Sequence, residues 1–258
     1  MRFLRTLVVV LPLLCVIYPT FAQQTSTPPV SPVRDAQALT VITQSLAAMG
    51  AIAAPTRMTL AHGTATYPDG TTKAVKFETI GTDRVRHDIG TGEFTFVANG
   101  GDGFLELNGK KQKLQYWATA YQRPEHLPSL SLMADYQNPN LQAQYVGLEN
   151  IDGNPAHHLR LSVIPTDNSS PVFMDLMSEF HVWIDEQSML VVKTRHFDFS
   201  PEAIQNRTPV EIFYSDYRLQ DGATVPFHLK RFIATDRQFE IAFSDISLTT
   251  AVSAVDFQ

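Results

Sequence analysis

A mainly β fold with some α, built as a curved antiparallel sheet with a helical lid, is the class that this sequence predicts. Three observations carry it. From about Met58 onward, apolar and polar residues alternate with period two in one stretch after another. Those stretches are separated by short turn signals such as Asp69-Gly70, Asn108-Gly109, Asp152-Gly153 and Asp221-Gly222, dipeptides that reach the positive φ a tight hairpin needs. Helical spacing is confined to one longer segment and two or three short ones. An alternating sheet has one apolar face that must be covered, and so few helices cover so many strands only if the sheet curls around them.

The elements follow in order. The opening MRFLRTLVVVLPLLCVIYPTFA has Arg2 and Arg5, an apolar run from Leu7 to Ile17 and a small-x-small end at Thr20-Phe21-Ala22, the pattern of a secretory signal peptide cut after Ala22. The run is shorter than the ~20 residues of a spanning helix. A periplasmic or secreted chain that does not span the membrane after cleavage is therefore expected. Residues 23–32, QQTSTPPVSP, read as a disordered leader, and residues 33–258 as one domain. VRDAQALTVITQSLAAMG places Leu39, Ile42, Leu46 and Met49 on one helical face and stops at Gly50. Eight to eleven strands then form a meander, interrupted twice. RPEHLPSLSLMADYQNP carries Leu127, Leu130, Met133 and Ala134 at helical spacing. SPVFMDLMSEF has Ser170 at an N-cap, Pro171 at the first helical position, and Phe173, Leu176, Met177 and Phe180 on one stripe. SPEAIQN (200–206) repeats that Ser-Pro start more briefly.

Composition excludes several function classes. The 20 Lys and Arg stand against 26 Asp and Glu, and loss of Arg2 and Arg5 leaves 18 against 26, a net of −8. No nucleic-acid partner is expected of that balance. Cys15, the only cysteine, lies in the signal peptide, so the mature chain has neither disulfide nor thiol chemistry. His157 and His158 are adjacent on a strand and point to opposite faces, and no HExxH or cysteine cluster is present, so no metal or other cofactor is expected. His126, His181, His196 and His228 are scattered singly. There is no G-x-S-x-G elbow, and carboxylates such as Asp198, Glu211 and Asp216 read as outer-face residues, so the chain is not expected to be an enzyme. Lys110, Lys111 and Lys113 read as a solvated hairpin tip.

The helix ending at Met49-Gly50, the VGLENIDGNPAHHLRLSV hairpin, VWIDEQSMLVVK, and above all FYSDYRLQDGATVPFHL (213–229) together resemble the LolA/LolB-like superfamily of bacterial lipoprotein carriers, which also includes RseB-like sensors. The resemblance implies an unclosed β-barrel with a helical lid and a cavity for lipid or lipoprotein acyl chains. It makes the chain a periplasmic carrier, with an envelope membrane protein as a further partner. The alternative is an RseB-like interaction or sensor module with a filled core. The family's cavity arginine could fall on Arg57, Arg84 or Arg86. In the 213–229 hairpin, Tyr217, Leu219, Val225, Phe227 and Leu229 would share one face, with Pro226 at an edge or bulge. Candidate cavity-lining residues are Trp117, Leu130, Met133, Phe173, Leu176 and Met177 from the lid, and Phe77, Phe96 and Trp183 from the sheet.

Overall fold

The computed structural model describes residues 31–50, 58–119, 122–164, 171–200, 203–249 and 257. The signal peptide, its cleavage position, most of the leader and Arg57 lie outside them. Among the described residues no helix is long and apolar enough to cross a membrane.

Helix α1 (Ala36–Met49) begins where the Asp35 carboxylate accepts from the Gln37 and Ala38 backbone N–H groups, two donors with no intrahelical partner. It ends at Gly50, whose φ of 75° is open to glycine. Ala38, Val41, Ile42, Ser45 and Met49 are its buried stripe, with Leu39 and Leu46 along the border. Gly50 serves a second purpose, because a Cβ there would come within 2.8 Å of the Gly222 carbonyl. The helix is thus seated directly against a hairpin turn.

Among the described residues thirteen strands follow, more than the alternation suggests: β1 (Met58–Thr66), β2 (Thr72–Ile80), β3 (Arg84–Ile89), β4 (Phe94–Asn99), β5 (Asp102–Leu107), β6 (Lys110–Lys113), β7 (Leu141–Ile151), β8 (Asn154–Val163), β9 (Phe180–Asp185), β10 (Val191–Ser200), β11 (Ala203–Gln220), β12 (Ala223–Ile233) and β13 (Asp236–Thr249). They form one antiparallel sheet in the order β6-β5-β4-β3-β2-β1-β13-β12-β11-β10-β9-β8-β7. Among the described residues, only the β1–β13 pairing joins strands distant in sequence. At a bulge in that pairing, a Cβ on Gly63 would meet the Ala242 carbonyl at 2.5 Å. Gly63→Ala is therefore expected to cost about 2 kcal/mol or more, read as a lowered urea midpoint; an unchanged midpoint would show that the two strands can part there.

The interior is one large apolar cluster, with a smaller one of Met58, Ile80, Val97 and Phe257 beside it. The large cluster joins Ala38, Ile42 and Met49 of α1 to Phe77 of β2, Leu159 and Leu161 of β8, Val182 and Ile184 of β9, and Ile212 of β11. Strands so far apart in the sheet share one core because the sheet curls, as expected, and its two edges stay unjoined. The first interruption is shorter-stepped than its spacing suggests: two 3₁₀ turns, Pro128–Leu130 and Leu132–Asp135, cover the core with Leu127, Leu130, Leu132 and Met133. Helices α2 (Tyr116–Thr119) and α3 (Pro171–Met177) complete the cover, with Pro171 in the first helical position.

Three expectations require correction. Residues 203–206 of SPEAIQN begin the long strand β11 and not a helix, because Ala203 and Arg207 on either side of a bulge pair with Ser200 and Phe199 of β10. Leu219 is 76 % exposed: Asp216 takes a left-handed φ of 53°, and beyond it Leu219 pairs with Thr224, off the face of Val225, Phe227 and Leu229. Pairing of β12 with β13 reaches only to His228, so Pro226 has no ladder partner on that side, as a proline requires. Trp183 is buried, yet on the convex face. Val182 and Ile184 occupy the inner side, and strand alternation sends the residue between them outward. There it stacks on His158 with centroids 4.2 Å apart and donates its indole N–H to Glu149 at 2.7 Å.

Candidate functional site: a cavity under the lid

A cavity of about 530 Å³ opens between the sheet and its cover. Leu105 of β5 and Leu114, Ala118 of α2, Leu132 of the second 3₁₀ turn, Met177 and Phe180 form apolar walls with Ile212 of β11; Phe197 and Phe199 border the cavity from the other face of β10. β5 and β10 are separated by seven strands in the sheet order, so the cavity exists only because the sheet is curved. Thr194, His196 and Asp198, alternate residues of β10, face in with Tyr214.

Its polar part is organised around Glu125, in the loop that leads to the 3₁₀ turns. Arg231 Nε lies 3.2 Å from one carboxylate oxygen and His196 Nε2 lies 3.6 Å from the other. Burial opposes the charge, but Arg231 and the neighbouring imidazoles outweigh it and hold the Glu125 carboxyl below its ordinary range. The Tyr214 hydroxyl donates to the Glu125 carbonyl at 2.8 Å and shares a hydrogen bond with Thr194. Burial pushes the Tyr214 phenol well up, so it remains a donor. The loop is thus fastened to β10, β11 and β12 by both its side chain and its backbone. Arg123 pairs with Asp135 at 2.7 Å and closes the same cover. At another part of the wall, Glu179 is held by Arg160, Arg207 and His181; burial raises its carboxyl, and these partners bring it down to about 2.

Of the nine candidate residues, Met177 lines this cavity. Leu130 and Met133 are fully buried in the packed core. Phe77 is buried against His87, His126 and Phe243, and Phe96 is half-buried beside His87. Phe173 and Leu176 stand on the outer side of α3, 42 % and 39 % exposed. Trp117 falls in α2, but its side chain lies outside the described residues. Trp183 is on the convex face. Neither Arg84 nor Arg86 lines the cavity; Arg123 is the lining arginine among the described residues, and Arg86 pairs with Asp88.

The histidines are not single. His126 packs against His87, His196 against Glu125, and His158 against His181. His157 and His158 do point to opposite faces, toward Tyr145 and Glu149 respectively. Among the described residues no group of three or more His, Asp or Glu side chains is placed to hold a metal ion.

No family model and no curated protein matches the chain. Solved structures do. A domain from Vibrio parahaemolyticus named as an outer-membrane lipoprotein-sorting protein is 13 % identical, with a TM-score of 0.54 over 86 % of this chain and 96 % of that one. A LolA superfamily protein from Nitrosomonas europaea is 12 % identical, with a TM-score of 0.52 over 86 % and 97 %. A DUF1329 family protein from Desulfovibrio piger is 11 % identical, with a TM-score of 0.51 over 86 % and 97 %. At these identities the likeness establishes the fold, a curved unclosed antiparallel sheet of LolA type.

Proposed function

We propose that this chain is a binding or carrier protein of the cell envelope whose cavity accepts the apolar part of an amphiphile, an acyl chain of a lipid or lipoprotein. The observation that carries the reading is the cavity of about 530 Å³, within the range of small-molecule sites, in which leucine, phenylalanine, methionine and isoleucine side chains form an apolar part beside the polar one around Glu125. Apolar burial at ~25 cal/mol per Å² would supply the affinity. The LolA-type fold and the signal-peptide pattern at the N-terminus support an exported carrier. A binding role rather than a reaction fits the polar groups, since Glu125 and Glu179 are each tied to arginines. A cavity of this size also weighs against an interaction module with a filled core.

Met177→Asp is the informative variant, because Met177 lines the cavity while only half-buried, whereas aspartate at the fully buried Leu130 would unfold the chain. A charge in the apolar wall is expected to weaken binding of a fluorescent fatty acid about tenfold or more, with the thermal midpoint little changed. Undiminished binding by a folded Met177→Asp protein would overturn this lining.

A further inference from the structure

A continuous hydrogen-bonded chain of four titratable side chains runs from the convex face to Glu179 at the cavity wall, and its two histidines have no part in the carrier reading. Glu149 of β7 meets His158 of β8 (Oε1 to Nδ1, 2.7 Å), His158 meets His181 of β9 (Nε2 to Nδ1, 2.8 Å), and His181 meets Glu179 (Nε2 to Oε1, 2.9 Å). The register explains how: His158 pairs with Trp183 and Arg160 with His181, so the two imidazoles are diagonal neighbours on one face.

Counting protons gives the chain its character. Both end carboxyls are held below their ordinary range and are ionised at neutral pH, so each can only accept. His158 Nδ1 and His181 Nε2 must therefore both carry hydrogen. The two inner nitrogens face each other and need one hydrogen between them. Every contact of the chain is satisfied only when the four ring nitrogens hold three protons, one imidazole and one imidazolium sharing a single positive charge. With two protons, one contact of the chain sets acceptor against acceptor; with four, two N–H groups collide.

We propose that His158 and His181 form a one-proton switch that couples pH to the cavity wall through Glu179. Glu179 is the link, because it both ends the chain and lines the cavity. Its other oxygen binds Arg160 and Arg207, and Arg160 also grips Asp175 of α3 at 2.9 Å. The remaining groups around the pair set its charge balance. From β10, Arg195 lies over the Trp183 ring and Lys193 beside it, both paired with Glu211 of β11. From β9, Trp183 stacks on His158; from β11, Arg207 flanks Phe197, which meets His181 edge-on. Burial lowers the His158 pKa and Glu149 opposes it, while His181 and Arg195 lower it further. As pH rises the shared proton leaves and one bond of the chain breaks; where that bond is the one to Glu179, its carboxylate is left to Arg160 and Arg207 alone and can turn toward them.

The coupling to ligand rests on the carrier reading; the proton sharing does not, and the test separates them. Long-range nitrogen–proton NMR of the imidazoles in the unaltered mature chain, followed from pH 5 to 9, is expected to show both rings changing together at one midpoint, with His158→Gln shifting the His181 midpoint. Two independent transitions, with the His181 midpoint unmoved in His158→Gln or Glu179→Gln, would overturn the switch. Affinity for a fluorescent fatty acid is then expected to fall about tenfold across the shared midpoint and to lose that step in Glu179→Gln. A flat affinity in a protein that binds the probe and titrates as a pair would overturn the coupling alone. A protein that binds no probe would refute the carrier reading, with the NMR still deciding the switch.

Discussion

Replacing Glu125 with alanine is expected to destabilise the protein by about 3 kcal/mol. Its carboxylate is the counter-charge of Arg231, and both side chains are mostly buried, 22 % and 17 % exposed. Breaking a buried pair strands the partner charge and typically costs ~3–5 kcal/mol; the residual exposure here argues for the lower end. The same loss frees the loop before the 3₁₀ turns from β12 and from His196 of β10, so the cavity cover loosens too. Denaturant unfolding of Glu125→Ala, Arg231→Met and the double variant measures this. The double variant is expected to recover part of the loss because no charge remains stranded. Additive losses in the cycle would mean that the two residues do not act as a pair.

Acid is expected to unfold the protein through two desolvated imidazoles, the fully buried His126 and the half-buried His87. His126 is fully buried with both ring nitrogens lacking a hydrogen-bond partner, packed against Phe77, His87 and Phe243. Burial holds its pKa well below the usual 6.5, with the His87 charge as a second cause. Burial likewise lowers His87, to about 4, with Glu125 partly opposing. The unfolded chain therefore binds protons first. Stability is intact above pH 6.5 and falls as pH drops from there toward 4, by up to about 3 kcal/mol for His87 alone. The carboxyl of Glu179, lowered from 4.5 to about 2, acts in a separate and more acid window, losing its contribution below 4.5. His126→Phe, which keeps an aromatic ring among aromatic rings, is expected to flatten the pH 6.5–4 decline measured by urea unfolding. An identical decline in that variant would place the acid sensitivity elsewhere.

Much of the fold was legible because it is written in local chemistry. Asp35 and Gly50 mark the ends of α1, and Asp221-Gly222 with φ of 49° and 82° closes the hairpin of β11 and β12. The cavity was harder to read. Thr194, His196 and Asp198 alternate with Phe197 and Phe199, a pattern that reads as a polar outer face, yet the polar set faces inward where the core gives way to a cavity. Leu130 and Met133 have the stripe of a ligand-facing helix and are simply core. Val182-Trp183-Ile184 is three apolar residues in a row, and alternation must send one of them outward, which sequence alone does not identify. The partnership of His158 and His181 depends on the β8–β9 register, and that of Glu125 and Arg231 spans 106 positions. No window of sequence contains either.

The carrier reading stands or falls on whether the cavity is filled in the cell. The mature chain purified from a bacterial envelope should be measured by native mass spectrometry, followed by organic extraction and identification of what is released. The expected result is a bound species with an acyl chain, released on extraction and reduced in Met177→Asp. A chain that carries no lipid and takes up none when lipids are added would contradict it.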